Sequence, residues 1–137
     1  MSECVVDASI FGPLFFTDET DTLFGELEAL LARGGCIAPQ HWRLELANQI
    51  LIGFRRKRMT EAMVSPAIAT LTSFDVTIDY QTWQRHEEIF DLARAQDLTI
   101  YDAAYLELAL LRKASLASYD NALCNAAQRM GVEVFSA

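Results

Sequence analysis

Short apolar runs alternate along the chain with longer segments whose apolar residues recur at helical spacing. Runs of this kind, rich in β-branched or small residues and followed by turn residues, are typical of strands buried on both faces of a parallel sheet. Five such runs predict strands: Cys4–Val6, Cys36–Ala38, Asp75–Ile78, Ser115–Ser118 and Val132–Phe135.

Helical segments fill the intervals between these runs. Gly34 and Gly35 follow the first segment and Gly131 follows the last, at positions where helices commonly end. Strands that alternate with helices indicate βαβ units, so the sequence predicts an α/β fold with a parallel sheet of about five strands flanked by helices. The predicted helices are 18–33, 41–57, 60–72, 80–96, 100–113 and 121–130.

Length and composition indicate one domain. A chain of 137 residues with 52% hydrophobic content can bury a sizeable core, and residues 1–137 are expected to form a single unit. No apolar run is long enough to cross a membrane and the first residues lack signal-peptide features, so a cytoplasmic location without membrane association is expected. Cys4, Cys36 and Cys124 are widely spaced and odd in number, which indicates small buried side chains.

The net charge of −8 argues against a general electrostatic grip on nucleic acid. Basic residues nevertheless cluster near the end of one predicted helix, where Arg55, Arg56 and Lys57 are candidates for binding substrate phosphates. A solvated helix C-terminus, where cations complement the helix dipole, is the competing interpretation. The cluster contains five of the eleven basic residues: Arg43, Arg55, Arg56, Lys57 and Arg58.

Four acidic residues lie at predicted strand ends or near helix starts: Asp7, Glu45, Asp102 and Asp120. In an open α/β sheet these places meet in the crevice outside the carboxyl ends of the strands. Converging carboxylates repel one another unless a cation joins them, and hard oxygen ligands suit Mg²⁺ or Mn²⁺. The first hypothesis is therefore a divalent-metal site that performs phosphoryl chemistry.

Three of these acids also have a purely structural interpretation. Asp102 follows Thr99 at the spacing of a capping box, and Asp120 could be a simple N-cap. Glu45 could be a surface residue, because the apolar stripe of its helix is expected roughly on the opposite side. A carboxylate at Asp7 would lose solvation without a partner. The predicted apolar stripe consists of Ala47, Ile50, Leu51 and Phe54.

Sequence motifs around the four acids resemble PIN-domain ribonucleases of the bacterial VapC toxin type. The resemblance extends over essentially the whole chain, and its strength lies in the ordered occurrence of four individually weak motifs. Family members often carry threonine where this chain has Ser118, and some offer a further acid where this chain has Asn121. The resembling segments are Val5–Ser9, Ala38–Asn48, Leu98–Leu106 and Leu116–Asp120.

The resemblance implies a function, a cofactor and partners. The expected activity is endonucleolytic hydrolysis of RNA to a 5′-phosphate and a 3′-hydroxyl, by water activated on one or two Mg²⁺ or Mn²⁺ ions. The expected partners are RNA, a cognate antitoxin and a second copy of the chain. The implied catalytic and metal-binding residues are Asp7, Glu45, Asp102 and Asp120, with Ser9, Asn48 and Ser118 as supporting polar residues.

Three other functions compete with this interpretation. A receiver-type phosphoacceptor would need an acidic pair after the first strand and a lysine near the fifth, and a haloacid-dehalogenase-type phosphatase would need a second aspartate where this chain has Ser9. A catalytically silent PIN-like binding module is also compatible with the sequence. It would leave the complete acid set unexplained.

Aromatic, histidine and apolar residues add secondary expectations. His41 and His86 are expected to be structural or on the surface. Trp42, Trp83, Tyr101 and Tyr105 can stack on bases, although packing is the favoured interpretation. Apolar residues of the first helices could exceed the needs of a small core and mark a protein interface. These are Phe15, Phe16, Leu23, Leu27, Leu30 and Leu31.

Overall fold

A parallel β-sheet forms the centre of the protein in a computed structural model that describes residues 3–16 and 23–135. These ranges contain four strands in the spatial order β3-β2-β1-β4. All neighbouring pairs are parallel, so the carboxyl ends of the strands lie at one edge of the sheet. The strands are β1 (Cys4–Val6), β2 (Cys36–Pro39), β3 (Val76–Asp79) and β4 (Ser115–Ala117).

The fifth predicted strand is reduced to a single parallel bridge. Val134 pairs with Leu116 of β4, and the two flanking backbone bonds run from Leu116 N to Glu133 O at 2.9 Å and from Phe135 N to Leu116 O at 2.8 Å. The segment therefore touches the edge of the sheet at one point without continuing along it. The α/β prediction is confirmed, with four strands where about five were expected.

Seven α-helices surround the sheet in the described ranges. Their order agrees with the sequence pattern, but the predicted helix 80–96 begins as a 3₁₀ turn, Thr82–Arg85, and another 3₁₀ turn, Ala8–Phe11, follows β1. Residues 18–22 of the first predicted helix lie outside the described residues. The helices are α1 (Gly12–Phe15), α2 (Leu23–Arg33), α3 (Trp42–Arg55), α4 (Glu61–Thr70), α5 (His86–Gln96), α6 (Ile100–Arg112) and α7 (Asn121–Arg129).

The core lies where α6 packs against the sheet and α3 packs against the turn after β1. Every residue of β1 is buried, as expected for a central strand covered on both faces. Phe15, Phe16, Leu27 and Leu30 are also buried in this core and Leu31 is partly buried against it, so the expectation that they exceed the needs of the core is wrong for these residues. The side chain of Leu23 lies outside the described part of the chain. Cys4 and Cys36 are buried and free, as predicted.

Helix α3 is rotated relative to its predicted apolar stripe. Leu51 and Phe54 are 42% and 40% exposed. The buried face is instead anchored by Trp42, whose ring meets Phe11 edge-on at 5.3 Å. A bulky aromatic side chain at the start of the helix thus sets which face points inward. The buried residues of α3 are Trp42, Leu46, Ile50 and Gly53.

An ion-pair network ties the end of β3 to α6. Arg85 donates from Nη2 to Asp79 Oδ2 at 2.6 Å and from Nε to Glu107 Oε2 at 2.7 Å. Each of the three side chains is less than one-fifth exposed, and pairing with both carboxylates satisfies the partly buried guanidinium. The 3₁₀ turn Thr82–Arg85 is therefore held against both elements. In the described part of the chain, no helix combines the length and apolar character needed to cross a membrane.

Candidate active site

Asp7 directly follows β1 and points its carboxylate into the protein. Its backbone N–H donates to Ala117 O of β4 at 2.9 Å, which continues the sheet pairing by one residue. The residue is only 5% exposed. Its Oδ2 accepts hydrogen bonds from Ser118 Oγ at 2.5 Å and from Ser9 Oγ at 2.8 Å. The buried carboxylate is thus oriented by two hydroxyls, as the desolvation argument requires.

The segment after β4 is fixed to the same two serines. Tyr119 N donates to Ser9 Oγ at 2.9 Å, and Asp120 N donates to Ser118 Oγ at 3.0 Å. Asp120 Oδ1 accepts from Leu123 N at 2.9 Å and caps α7. The N-cap interpretation of Asp120 is therefore correct, and the serine contacts place the capping carboxylate beside Asp7.

Glu45 and Asp102 approach the same place from two helices. Glu45 lies in the first turn of α3, where its Oε1 accepts a hydrogen bond from the Tyr105 hydroxyl and lies 3.3 Å from His41 Nε2. Asp102 lies in the first turn of α6, whose N-cap is Thr99; Thr99 Oγ1 accepts from Asp102 N at 3.1 Å. Since Tyr105 follows Asp102 by three residues on α6, both face α3.

A cavity of about 230 Å³ brings the four acids together. Ser9 and Asn48 line it as predicted, while Ser118 acts from behind Asp7 through its hydrogen bond. Gln49 was not predicted; its Nε2 donates to Ala8 O at 2.8 Å and joins α3 to the turn after β1. The residues that line the cavity are Asp7, Ala8, Ser9, Glu45, Asn48, Gln49, Asp102 and Asp120.

Burial and mutual repulsion disfavour negative charge in this cavity. Burial raises the pKa of Asp7, opposed by the hydrogen bonds of Ser118 and Ser9, and the charge of Asp120 raises it further. Burial likewise raises the pKa of Glu45 to about 7, with the Tyr105 hydrogen bond in opposition. The pKa of Asp102 is raised by burial and by its acidic neighbours. A cation in the cavity would relieve all three effects.

The donor set fits a hard divalent cation. All four charged groups are carboxylates, the ligands that Mg²⁺ and Mn²⁺ prefer. Within the described ranges, however, no three His, Cys, Asp or Glu side chains are already arranged to hold a metal ion. Binding would therefore require the carboxylates to turn towards a common centre. Asp7, Glu45, Asp102 and Asp120 could supply the ligands.

His41 and Tyr105 both contact Glu45, although the sequence did not predict them as site residues. His41 was expected to be structural or on the surface, and Tyr105 to stack or pack. Tyr105 and Trp42 are fully buried, which confirms the packing interpretation for these two, whereas Trp83 and Tyr101 are exposed and the interpretation is wrong for them. The hydroxyl of Tyr105 nevertheless reaches Glu45. The spacing offered a signal, since His41 precedes Glu45 by four residues and Tyr105 follows Asp102 by three.

The basic cluster does not line the acidic cavity. Arg55, Arg56 and Lys57 are exposed at the end of α3. Arg55 lies ten residues beyond Glu45, so about 15 Å of helix separates them. The guanidinium of Arg58 lies 4.1 Å from the ring centre of Phe16. If the substrate is RNA, the cluster would therefore contact nucleotides that lie away from the acidic cavity.

The chain combines a four-stranded parallel sheet with four acids at the carboxyl edge of that sheet. This combination matches a known domain family. Residues 4–129 match the PIN domain family. This chain belongs to that family. Membership excludes the receiver-type and phosphatase-type alternatives. No curated protein matches the chain at a significant level.

Several solved structures share the fold of this chain. PAE2754 from Pyrobaculum aerophilum superposes with a TM-score of 0.71 at 21% identity, over 97% of this chain and 83% of that one. VapC20 of Mycobacterium tuberculosis, described as a sarcin-ricin loop cleaving toxin, gives 0.64 at 18% identity, over 90% and 95%. FitAcB from Neisseria gonorrhoeae gives 0.60 at 14% identity, over 97% and 96%. At these identities the likeness shows a common fold.

Proposed function

We propose that this PIN domain is a metal-dependent endoribonuclease and the toxin component of a toxin–antitoxin pair. The observation that carries the proposal is the convergence of Asp7, Glu45, Asp102 and Asp120 on one cavity. Repulsion among the four carboxylates destabilises the folded protein, which indicates that the cluster serves to bind a ligand. The fold of VapC20, described as a toxin that cleaves the sarcin-ricin loop, supports RNA as the substrate.

The four carboxylates would hold one or two Mg²⁺ or Mn²⁺ ions. Bound there, the ions would supply the positive charge that activates water and offsets charge on the scissile phosphate. Ser9 and Ser118 keep the Asp7 carboxylate in one orientation through their hydroxyls. Asn48 lines the cavity and offers an amide to water or substrate.

Glu45 is held by two neighbours with different properties. Tyr105 donates its hydroxyl proton to the carboxylate in a hydrogen bond, and burial raises the pKa of Tyr105, which keeps that proton in place. The Nε2–H of His41 lies within reach of both Glu45 Oε1 and Tyr101 O, at 3.3 Å and 3.1 Å. Burial lowers the pKa of His41, so it acts as a neutral donor that fixes the start of α3 against α6.

Partners and location form part of the same proposal. The exposed run Arg55, Arg56 and Lys57 would contact RNA phosphates outside the cavity, and a cytoplasmic homodimer is expected from the resemblance to VapC toxins. A second cavity, of about 450 Å³, lies between α1 and α4 and includes Leu14 and Met63. Its apolar character suits an amphipathic segment of a cognate antitoxin.

A catalytically silent binding module is the second candidate. It is favoured by one observation, the lack of a ready-made metal-ligand group in the described part of the chain. If the carboxylates do not close on a cation, the geometry of the PIN fold would serve only to bind a partner.

Calorimetric titration with Mn²⁺, combined with an RNA cleavage assay, separates the two candidates. The nuclease predicts saturable Mn²⁺ binding and products with 5′-phosphate ends, both abolished in Asp7→Asn. Asp91→Asn is the matched control, because Asp91 is an exposed acid of α5. Absence of Mn²⁺ binding and of cleavage in the wild-type chain, with antitoxin binding retained, would establish the silent module instead.

A further inference from the structure

An open cavity of about 470 Å³ lies directly beside the acidic cavity. Trp83 and Tyr101 are both part of its wall and are 65% and 63% exposed. Leu44 and Ile100 complete its apolar wall at 74% and 44% exposure. Large side chains that remain this accessible around a concave surface indicate a binding site. Its volume is within the range of cavities that hold small molecules.

The two cavities share a wall. His41 lines the apolar cavity, and its Nε2 lies 3.3 Å from Glu45 Oε1 in the acidic one. Tyr101 immediately precedes Asp102 in the first turn of α6. A substrate whose phosphate lies among the acids would therefore have its neighbouring nucleoside at the mouth of the apolar cavity.

The chemistry of the wall matches an unpaired base. None of the residues that line this cavity is acidic, in contrast with the adjoining site. Aromatic faces bind bases by stacking, and polar groups at the rim can pair with their edges. Gln40 supplies an exposed amide, and His86, whose Nδ1 lies 3.3 Å from Trp83 O, supplies a second ring nitrogen.

The wall is also well supported for this role. Trp83 belongs to the 3₁₀ turn that Arg85 fastens to Asp79 and Glu107. Tyr101 is fastened by its carbonyl to His41. Aromatic side chains on a fixed backbone lose little conformational entropy when a ligand binds.

We propose that this cavity, defined by Trp83 and Tyr101, binds one unpaired base of the RNA next to the scissile phosphate. The inference rests on the proposed ribonuclease function and adds the residues of this chain that would hold the base. Charge does not select a basic peptide for this cavity, since the acids of the adjoining site lie outside its wall.

Steady-state cleavage of a short single-stranded RNA tests the proposal. Trp83→Ala and Tyr101→Ala should each raise KM about tenfold or more, the usual effect of removing an aromatic ring that stacks on a base, with kcat nearly unchanged. Trp83→Phe should retain most of the affinity. Tyr80→Ala is the matched control, since Tyr80 is also 63% exposed but does not line the cavity.

An abasic substitution identifies the base. An abasic nucleotide at one position beside the cleavage site should raise the KM of the wild-type enzyme. The same substitution should leave the KM of Trp83→Ala unchanged. The chain has two tryptophans, and Trp42 is fully buried, so uncleaved RNA bound to Asp120→Asn should quench only the Trp83 fluorescence.

The outcomes separate this inference from the proposed function. Unchanged KM in Trp83→Ala, with normal cleavage by the wild type, overturns the base site alone. A change of molecular mass in ultracentrifugation without a change in KM would make the surface a dimer contact and also overturn it. Wild-type protein that cleaves no RNA contradicts the proposed function, and the fluorescence titration then still decides whether a base binds here.

Discussion

The hydroxyl of Tyr105 donates a hydrogen bond to Oε1 of Glu45, and the tyrosine is fully buried while the glutamate faces the acidic cavity. The bond joins α6 to α3 across the site. It also opposes the effect of burial on Glu45, because donation to a carboxylate favours its charged form. Tyr105 is therefore a positioning residue for a proposed metal ligand.

Replacing Tyr105 by phenylalanine should slow hydrolysis and raise the pKa of Glu45. Loss of a hydrogen bond to a charged group is worth about 1.5–3 kcal/mol, so a fall of about tenfold or more in kcat is expected with the fold retained. In metal-free protein, NMR titration should show the pKa of Glu45 above its wild-type value of about 7. Tyr80→Phe is the control, and an unchanged Glu45 titration would contradict the positioning role.

Stability of the metal-free protein should fall as the pH rises. The folded pKa of Glu45 is raised from 4.5 to about 7, so the folded state binds a proton more tightly than the unfolded chain. The stabilisation is fully present below about pH 4.5 and is lost as the pH rises through about 7. Asp7 and Asp102, whose pKa values are also raised, act in the same direction.

Urea unfolding in a chelator, at pH 5.5 and pH 8, measures this effect. Glu45→Gln should reduce the difference between the two pH values, while the exposed control Glu61→Gln should not. Mn²⁺ should restore stability at pH 8 in the wild type. Because the lowered pKa of His41 opposes the acids over this pH range, the decisive result is the variant: a Glu45→Gln protein with the same difference between the two pH values as the wild type would contradict the argument.

Each acid of the site should be needed for hydrolysis but not for folding. Asp7→Asn, Glu45→Gln, Asp102→Asn and Asp120→Asn should each reduce cleavage by orders of magnitude. Without metal, their unfolding free energies should equal or exceed that of the wild type, because repulsion is relieved. Asparagine can still cap α7 at position 120. Strong destabilisation by Asp102→Asn, with activity per folded molecule retained, would leave that residue a structural role only.

The location of Asp7 in the fold could be predicted from the sequence. A carboxylate after a short apolar strand must lie at the carboxyl edge of a parallel sheet, so its neighbourhood followed from local pattern and general topology. The positions of Asp102 and Asp120 near helix starts could also be predicted, because Thr99 and Asp120 are N-cap residues in the sequence. These features depend on residues close together in the chain.

Contacts between segments that are far apart in the chain could not be predicted from local sequence patterns. The bond from Tyr105 to Glu45 depends on how α6 is rotated against α3, and Trp42 sets that rotation by packing on Phe11. The sequence pattern favoured a different face of α3, with Leu51 and Phe54 inward. Tertiary packing decided between apolar positions that periodicity alone could not distinguish.

The basic run should contribute to RNA affinity without affecting the chemical step. Replacing Arg55, Arg56 and Lys57 by glutamine should weaken binding and reduce the slope of log affinity against log salt, by about one unit or less for each phosphate that is no longer neutralised. Hydrolysis at saturating RNA should be nearly unchanged. Arg94→Gln with Lys113→Gln is the control, and an unchanged slope would leave the run as a solvated end of α3.

Inhibition by an antitoxin is the final prediction, and it follows from the charge of the acidic cavity beside an apolar surface. A partner should lay an amphipathic segment against α2 to α4 and place an arginine or lysine among the four acids. There its charge would replace that of the metal and relieve the same repulsion. The exposed apolar residues of α3 and α4 include Leu51, Ile52, Phe54, Met63 and Ile68.

Competition with Mg²⁺ distinguishes this mechanism from simple steric blockage. Raising Mg²⁺ through the millimolar range should weaken the complex with the wild-type chain but not with Asp7→Asn, in which the proposed metal site is disrupted. Truncating the partner's basic residue to alanine should restore part of the hydrolysis, while apolar contacts maintain binding. A complex whose affinity is independent of Mg²⁺, and in which no basic side chain reaches Asp7 or Glu45, would contradict the mechanism and leave the nuclease proposal standing.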